Sequence, residues 1–248
     1  MADIRIIGSY LSPYVRKVLA LLHLKGLAYE LDPIVPFFGG EAFSRLSPLR
    51  RIPVLIDGDV TLSDSTIIAE YLQDRYEGAA LMPSSPVERA RARWLEEYAD
   101  TRMGEAIVWK LYQQLAINRH VWGKTPDEKI VSEALNQDIP HVLDYLESQV
   151  PREGFLFGSL MTADVAIATF FRNAGFVRYT IDAQRWPLTS AYVNRVLDHD
   201  CLASLRPFED ICLKTPIAAQ RDALHAAGAP ISATTIGIDT PQLGIMRI

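Results

Sequence analysis

The pattern of apolar and polar positions changes character after the first eighty residues. Up to that point, short runs rich in β-branched residues alternate with stretches of helical spacing: IRIIG, PYVRKVLALLHLKG, AYELDPIV, GEAFSRLS, PVLIDGDVTLS and DSTIIAEYLQDRY. The fifth run predicts a hairpin around Asp57-Gly58, a dipeptide favoured in two-residue turns. The predicted order is β-α-β-α-β-β-α, with a parallel strand pair, a closing hairpin and helices on the faces of the sheet.

Only helical patterns follow the segment EGAALMPSSPVERA, whose glycine, prolines and serines are typical of a linker. The stretch from VERARARW to NRHVW predicts one long helix or two, and Pro140 is expected to kink the next helix. TADVAIATFFRNAGF and PLTSAYVNRVLDH predict two more helices. We therefore predict an α/β domain over residues 1–77, an all-helical domain over 87–215 and a tail over 216–248.

The predicted tail has an unusual composition. Its last part, PISATTIGIDTPQLGIMRI, combines two prolines and several isoleucines with only two charges. Disorder is one interpretation. Packing along the body of the protein or onto a partner chain is the other, because a solvated tail normally carries more charge.

Composition narrows the class of partner. The 248 residues are 49% hydrophobic and 22% charged, as in soluble globular proteins, and the net charge of −5 disfavours a nucleic-acid partner. The start MADIRIIGSY lacks signal-peptide features, and no apolar run reaches the length of a membrane span. Cys201 and Cys212 occur without CxxC or zinc spacing. They predict reduced, inert thiols in a cytoplasmic protein that binds no metal.

Three segments carry residues suited to holding a small ligand. In SYLSPYVRKVLALL, Ser12 followed by Pro13 is a typical helix N-cap. A cap also directs unpaired backbone N–H groups and the positive end of the helix dipole at whatever lies before the helix. Ser12 is therefore predicted either to cap the helix or to contact an anion, and the two interpretations do not exclude each other.

The second segment is LRRIPVLIDGD, in which Pro53 opens a strand and forces Ile52 to be extended. A cis Ile52–Pro53 bond would turn backbone groups toward a ligand, but only about 5–6% of such bonds are cis. Arg51 is suited to a carboxylate, or to plain solvation. The third segment is LSDSTIIAEYL, where Ser63 or Asp64 caps a helix. Asp64 could hold an ammonium group, with Ser65 and nearby N–H groups on a carboxylate.

Taken together, these segments suit a small peptide that bears a thiol. The order SPY…RKV, RIPVL and DS resembles that of cytosolic glutathione transferases, with motif spacing similar to tau-type and bacterial members. GSLMTADVAIATFF and WPLTSAYVNRV resemble two helical segments of the same family, so the resemblance covers roughly residues 3 to 210. It implies a thioredoxin-like N-terminal domain, an all-α C-terminal domain, glutathione as co-substrate and usually a homodimer.

The resemblance also implies a role for each matched residue. Ser12 corresponds to the serine that hydrogen-bonds the glutathione sulfur. Arg51 matches a basic residue near the glycine carboxylate, while Ile52 and the cis-proline position Pro53 match the contacts of the cysteinyl unit. The acid-serine pair Asp64-Ser65 matches the γ-glutamyl site.

The chain departs from the family pattern at three points. Ser12 stands where thiol-transferase members have cysteine, which disfavours disulfide exchange. Met161 replaces the usual capping Ser or Thr of a later helix, so Thr162 is expected to cap it instead. Tyr10 lies near the tyrosine of tyrosine-type members but is displaced, and it ranks second to Ser12.

The electrophile pocket is predicted between the domains, facing the first long helix. Its candidates are Tyr98, Arg102, Met103 and Tyr112, although at helical spacing such residues more often pack or face solvent. Asp100 on the same helix could reach a partner subunit's site. A regulatory, non-catalytic binding protein with this fold remains the alternative to an enzyme.

Overall fold

The computed structural model describes residues 4–243, which form two compact units. The first unit joins the chain up to residue 79 to the chain from residue 200 on. The second unit is the continuous stretch of residues 80–199. This grouping differs from the sequence-based boundary at residue 215, because the last helices belong with the first unit.

A four-stranded sheet forms the centre of the first unit, with the strand order β2-β1-β3-β4. The strands are β1 (Ile4–Ile7), β2 (Tyr29–Asp32), β3 (Val54–Asp57) and β4 (Val60–Ser63). β1 runs parallel to β2 and antiparallel to β3, which pairs antiparallel with β4. The predicted parallel pair and closing hairpin are thereby confirmed. The hairpin loop is Gly58 and Asp59, one residue beyond the predicted dipeptide, and Gly58 has a positive φ of 56°.

Three helices of the first unit follow the predicted order: α1 (Pro13–Leu24), α2 (Glu41–Leu46) and α3 (Ser65–Arg75). α1 and α3 pack against each other. Apolar side chains of α1 such as Val15, Val18 and Leu22 are fully buried, which explains the helical spacing of its sequence. The α/β thioredoxin-like class of the N-terminal part is confirmed.

The second unit is all-helical. α4 (Pro86–Tyr98) continues through Ala99–Ile117, whose wider turns have i→i+5 geometry, into α5 (Asn118–Trp122). The remaining helical segments are α6 (Glu128–Glu133), a second wide segment (Ala134–Asp138), α7 (Ile139–Glu147), α8 (Thr162–Phe176) and α9 (Pro187–Leu197). The irregular turn comes just before Pro140, which lies in the first turn of α7.

α8 forms the core of the second unit and packs against α4, α9 and Ala99–Ile117. Its cap differs from the expectation. Met161 is the N-cap residue, while the Thr162 hydroxyl donates to the Leu81 carbonyl at 2.9 Å. The Asp164 carboxylate accepts from the Met161 N–H at 3.0 Å, so an acidic side chain three residues into the helix satisfies that donor.

The chain after residue 199 adds α10 (Asp200–Ala203), α11 (Arg206–Lys214) and α12 (Ile217–Ala226) to the first unit. Beyond α12 the tail packs on the same unit. Ile231 forms an isolated parallel β-bridge with Leu31, and Gly237 forms an isolated antiparallel β-bridge with Gly39. Up to residue 243, the disorder interpretation of the tail is therefore wrong, and its last five residues lie outside the described part. Among residues 4–243, no helix has the length and apolar character required to cross a bilayer.

Candidate active site

The sheet register brings the three predicted segments to one end of the first unit. Ile7, the last residue of β1, is opposite Val54, the first of β3, and Val54 is opposite Ser63, the last of β4. The chain around Ser12, the Ile52–Pro53 pair and the Asp64-Ser65 pair therefore adjoin this end. Adjacent strands are about 4.8 Å apart, so β1 and β4 are separated by about 10 Å. An extended tripeptide is about 10 Å long.

Ser12 is the N-cap residue of α1, with extended backbone (φ −83°, ψ 127°) and Pro13 at the first helical position. Its hydroxyl oxygen accepts from the Val15 N–H at 3.4 Å. The hydroxyl hydrogen takes no part in that bond, because the oxygen is the acceptor. The two interpretations of Ser12 are therefore compatible: one atom caps the helix while the hydrogen can be donated to an anion.

Two buried cations follow Ser12 on α1. Arg16, 1% exposed, pairs with Glu209 of α11 at 3.3 Å and donates to the Tyr10 carbonyl at 3.0 Å. Lys17, also 1% exposed, donates to the Thr66 hydroxyl at 3.4 Å. This bond ties the Ser12 helix to the first turn of α3. The sequence analysis used both residues as part of the SPY…RKV motif but assigned neither a structural role; the available signal was a charged pair in an otherwise apolar stretch.

The Arg51 segment is fixed through its backbone. The Ser47 hydroxyl accepts from the Arg51 N–H at 3.0 Å and donates to the Arg51 carbonyl at 2.9 Å. The Arg51 side chain is exposed, whereas Ile52 and Pro53 are buried. The Ile52–Pro53 peptide bond is cis. The segment thus presents one accessible guanidinium beside a buried backbone turn.

Asp64 begins α3 with an unusual backbone. Its φ of 87° is outside the range that L-residues normally adopt, at a typical cost of about 1–3 kcal/mol that the surrounding structure must offset. One carboxylate oxygen, Oδ1, accepts from the N–H groups of Thr66 (2.9 Å) and Ile67 (3.3 Å). The second oxygen takes no part in these cap bonds. Asp64 is exposed and the adjacent Ser65 is buried, so a carboxylate and a helix N-terminus lie side by side.

Tyr10 lies in the core of the first unit. It is fully buried, with its ring centroid 5.2 Å from that of Phe208. Burial, reinforced by the neighbouring Tyr29 and Cys212, raises the pKa of its phenol well above the usual value. A buried phenol of this kind offers neither access nor an anion to a ligand, which leaves Ser12 as the better placed hydroxyl.

The candidates for an electrophile pocket all have contacts within the second unit. Met103 and Tyr112 are buried, and the Tyr112 ring lies 6.4 Å from that of Phe176. The Tyr98 ring lies 4.5 Å from that of Tyr145. The Arg102 guanidinium pairs with Asp138 at 2.7 Å and with Glu105 at 3.1 Å. These contacts agree with the packing alternative, so the four residues remain predictions as ligand contacts.

Asp138 provides a test of the second unit's electrostatics. Burial alone would raise the pKa of its carboxyl, but hydrogen bonds from Lys110 and Arg102 outweigh burial and lower that pKa. The stabilisation is therefore present above the unfolded pKa of about 3.9 and lost as pH falls through the lower folded value. We expect Asp138→Asn to reduce the free energy of unfolding by about 1–2 kcal/mol at pH 7.

Urea denaturation between pH 7 and pH 2.5 measures this effect, and the difference from the wild type should shrink as pH falls below the unfolded pKa of about 3.9. Glu105→Gln is the matched control. It removes an exposed partner of the same Arg102, so its expected cost is below about 0.5 kcal/mol. An equal cost at every pH would show that Asp138 acts by packing rather than by charge.

Comparison with known proteins identifies the family of this chain. Residues 6–80 match the family model for the glutathione S-transferase N-terminal domain, which includes all three predicted segments. The chain is 36% identical over 200 residues to the uncharacterized GST-like protein YibF of Escherichia coli, covering 79% of this chain and 92% of YibF. The chain belongs to the glutathione S-transferase family.

Two further comparisons extend across both units. Glutathione S-transferase 3 of Zea mays is 32% identical over 167 residues, covering 65% of this chain and 73% of the maize protein. A crystal structure of a glutathione S-transferase from Rhodospirillum rubrum F11 superposes with a TM-score of 0.75 at 24% identity, covering 82% of this chain and 91% of that one. The second comparison confirms the fold of this glutathione S-transferase family member.

Proposed function

We propose that this family member is an active glutathione transferase in which Ser12 stabilises the glutathione thiolate for attack on a small electrophile. The observation that carries the proposal is the sheet register, by which the ends of β1, β3 and β4 adjoin one another. Three short segments far apart in sequence thereby offer complementary groups over the length of one extended tripeptide.

Each part of glutathione has a matching group in this arrangement. Asp64 receives the γ-glutamyl ammonium through the oxygen that does not cap α3. The Ser65 hydroxyl and the Ser65 N–H, at the start of α3, receive the γ-glutamyl carboxylate. The backbone of Ile52, before Pro53, binds the cysteinyl unit. Arg51 binds the glycine carboxylate. The thiol then lies at the N-terminus of α1, where the Ser12 hydroxyl donates to it.

The energies are sufficient for the chemistry. Lowering a thiol pKa from about 8.5 to about 6.5 requires about 2.7 kcal/mol of preference for the anion. One hydrogen bond to a charged acceptor contributes about 1.5–3 kcal/mol, and the helix terminus adds about 0.3–1 kcal/mol. With a chloroarene, the thiolate forms a carbon–sulfur bond, the carbon–chlorine bond breaks, and chloride leaves.

Retention on immobilised glutathione and turnover of chlorodinitrobenzene test the proposal. We expect both, with elution by free glutathione and a rate that depends on protein concentration. Absence of binding would refute the assigned site. Binding without turnover of any electrophile in a broad panel would refute the enzymatic role and support a regulatory binding protein.

Asp64 offers a separate test of the γ-glutamyl contacts. We expect Asp64→Ala to raise the KM for glutathione about 10-fold or more with a smaller change in kcat, because an ammonium loses its carboxylate partner. Steady-state kinetics with varied glutathione measure the effect.

Asp64→Asn is the matched control for the helix cap, because asparagine also caps helices and tolerates a positive φ. It should restore the stability lost by Asp64→Ala while KM stays high. A wild-type KM in Asp64→Asn would remove the charge of Asp64 from the binding site.

We extend the proposal to a cytoplasmic homodimer. Cys201 and Cys212 are buried thiols outside any disulfide, and burial raises the pKa of each to about 12, which is compatible with a reducing compartment. The homodimer is what membership of the glutathione S-transferase family favours, because its cytosolic members are usually homodimers. Light scattering should give twice the chain mass of 27.8 kDa.

A further inference from the structure

The C-terminal tail covers the free edge of the sheet. We call residues 230–242 the strap. The Leu31 N–H donates to the Pro230 carbonyl at 2.6 Å, and the Ser232 N–H donates to the Leu31 carbonyl at 2.9 Å. Edge strands such as β2 otherwise present unpaired backbone groups. The strap therefore acts as a short extra strand at the β2 edge.

The strap then runs along the loop of residues 36–40, which connects β2 to α2. The Gly40 N–H donates to Ile236 O at 3.4 Å, the Ile238 N–H to Phe38 O at 2.8 Å, and the Gln242 N–H to Phe37 O at 2.7 Å. The approach is close at Gly40, where an added Cβ would lie 3.0 Å from the Ile238 side chain. The strap thus holds this loop by main-chain bonds at several points.

One buried carboxylate holds the strap in place. Asp32, fully buried at the end of β2, accepts from Arg5 at 3.0 Å, from Arg221 at 3.4 Å and from the Ile236 N–H at 3.0 Å. The two arginines also donate to strap carbonyls: Arg5 to Thr234 at 2.9 Å, and Arg221 to Ser232. Because β2 ends at the same end of the sheet as β1, this cluster adjoins the predicted glutathione site.

Arg50 links the strapped loop to the site. Its guanidinium donates to Gly39 O at 2.8 Å and to the Ser44 hydroxyl at 2.6 Å, and it lies over the Phe43 ring at 5.8 Å. Its backbone has a positive φ of 52°. The next residue is Arg51. The contacts of Arg50 with the strapped loop therefore fix the backbone position from which the Arg51 side chain extends.

We infer that the strap positions the glycine end of the glutathione site, with Asp32 and Arg50 as positioning residues that act through the 36–40 loop on Arg51. The inference rests on the proposed function, because it assumes that Arg51 binds the glycine carboxylate. The affinity for a ligand that has the glycine carboxylate should depend on the strap, whereas the affinity for a ligand without this carboxylate should not. γ-Glutamylcysteine, which lacks only the glycine, separates the two cases.

The test compares the wild type with Asp32→Asn and with a chain ended after Ala229, using calorimetric titration of glutathione and γ-glutamylcysteine. Both variants should bind glutathione about 5- to 10-fold more weakly, and γ-glutamylcysteine within about twofold of the wild type. The kcat at saturating glutathione should stay within about twofold, because Ser12 is untouched. Asp222→Asn, an exposed acid on α12 beside Arg221, is the charge-matched control and should behave as the wild type.

Equal weakening for both ligands, or unchanged affinity for both, would overturn the inference. Hydrogen exchange of the peptide spanning residues 36–51 tests the strap without any ligand: exchange should be faster in both variants, and unchanged exchange would also overturn it. If the wild type binds neither ligand, the proposed function fails. The hydrogen-exchange result still tests whether the strap holds residues 36–51. If the shortened chain does not fold, Asp32→Asn retains the full chain and gives the same readouts.

Discussion

Replacing Ser12 by alanine is expected to lower kcat about 10- to 100-fold, because the thiolate loses a hydrogen bond worth about 1.5–3 kcal/mol. The KM for glutathione should change less than about threefold, since the peptide contacts of Arg51, Ile52 and Asp64 remain. The pH dependence should also change: the rise of kcat/KM with pH moves upward toward the ordinary thiol pKa of about 8.5. Steady-state kinetics between pH 5.5 and 9.5 measure all three quantities.

Two controls separate catalysis from capping. Ser12→Thr keeps a hydroxyl and should retain much of the activity. Asp127→Ala removes the cap of α6, where the side chain accepts from Lys129 and Ile130 N–H groups, and should cost about 1 kcal/mol of stability with normal kinetics. If Ser12→Ala merely unfolds α1 while the folded fraction turns over normally, Ser12 is a cap and nothing more.

Asp164→Ala is expected to destabilise the second unit by about 3–5 kcal/mol. The carboxylate is fully buried and accepts from Leu156 N–H (2.9 Å), Met161 N–H (3.0 Å) and Tyr192 O–H (2.7 Å). Alanine leaves these donors without a partner in the interior, and each loss carries a desolvation cost. Burial raises the pKa of the Asp164 carboxyl, and the three hydrogen bonds oppose that effect.

Urea and thermal denaturation measure the loss of stability. Tyr192→Phe removes one of the donors and should cost about 1 kcal/mol. Combined with Asp164→Ala, it should give less than the sum of the single effects, because the two side chains share one hydrogen bond. Additive effects would contradict the cluster as described.

The α/β part was predictable because its signals are local. Alternating β-branched runs, a turn at Gly58 and the caps at Ser12 and Asp64 each depend on a few adjacent residues. The order of elements along the chain and the helix starts followed from these signals. The convergence of the three segments at one sheet end then follows from antiparallel register. The placement of the predicted site residues at this end therefore needs only the local signals and the pairing of β1 with β3.

Contacts between residues that are far apart in sequence could not be predicted. Asp32 meets Arg221 across 189 positions, and Arg16 meets Glu209, with no periodic signal linking either pair. The sequence left open whether the tail is disordered or packed for the same reason, because its partners Leu31 and Gly39 are known only from the structure. The sequence likewise indicated Met103 and Tyr112 as candidate pocket residues on a helix, but it did not show that their side chains are buried in the second unit.

The discontinuity of the first unit has a consequence for biosynthesis. Its sheet is translated first, yet α10 to α12 and the residues that border β2 emerge only after about 120 intervening residues. At ordinary elongation rates this delay is about 6–24 s, long compared with helix formation. The nascent chain must therefore carry an incompletely covered sheet edge while the middle unit leaves the ribosome. Final assembly of the first unit is consequently a late event that follows synthesis of the second unit.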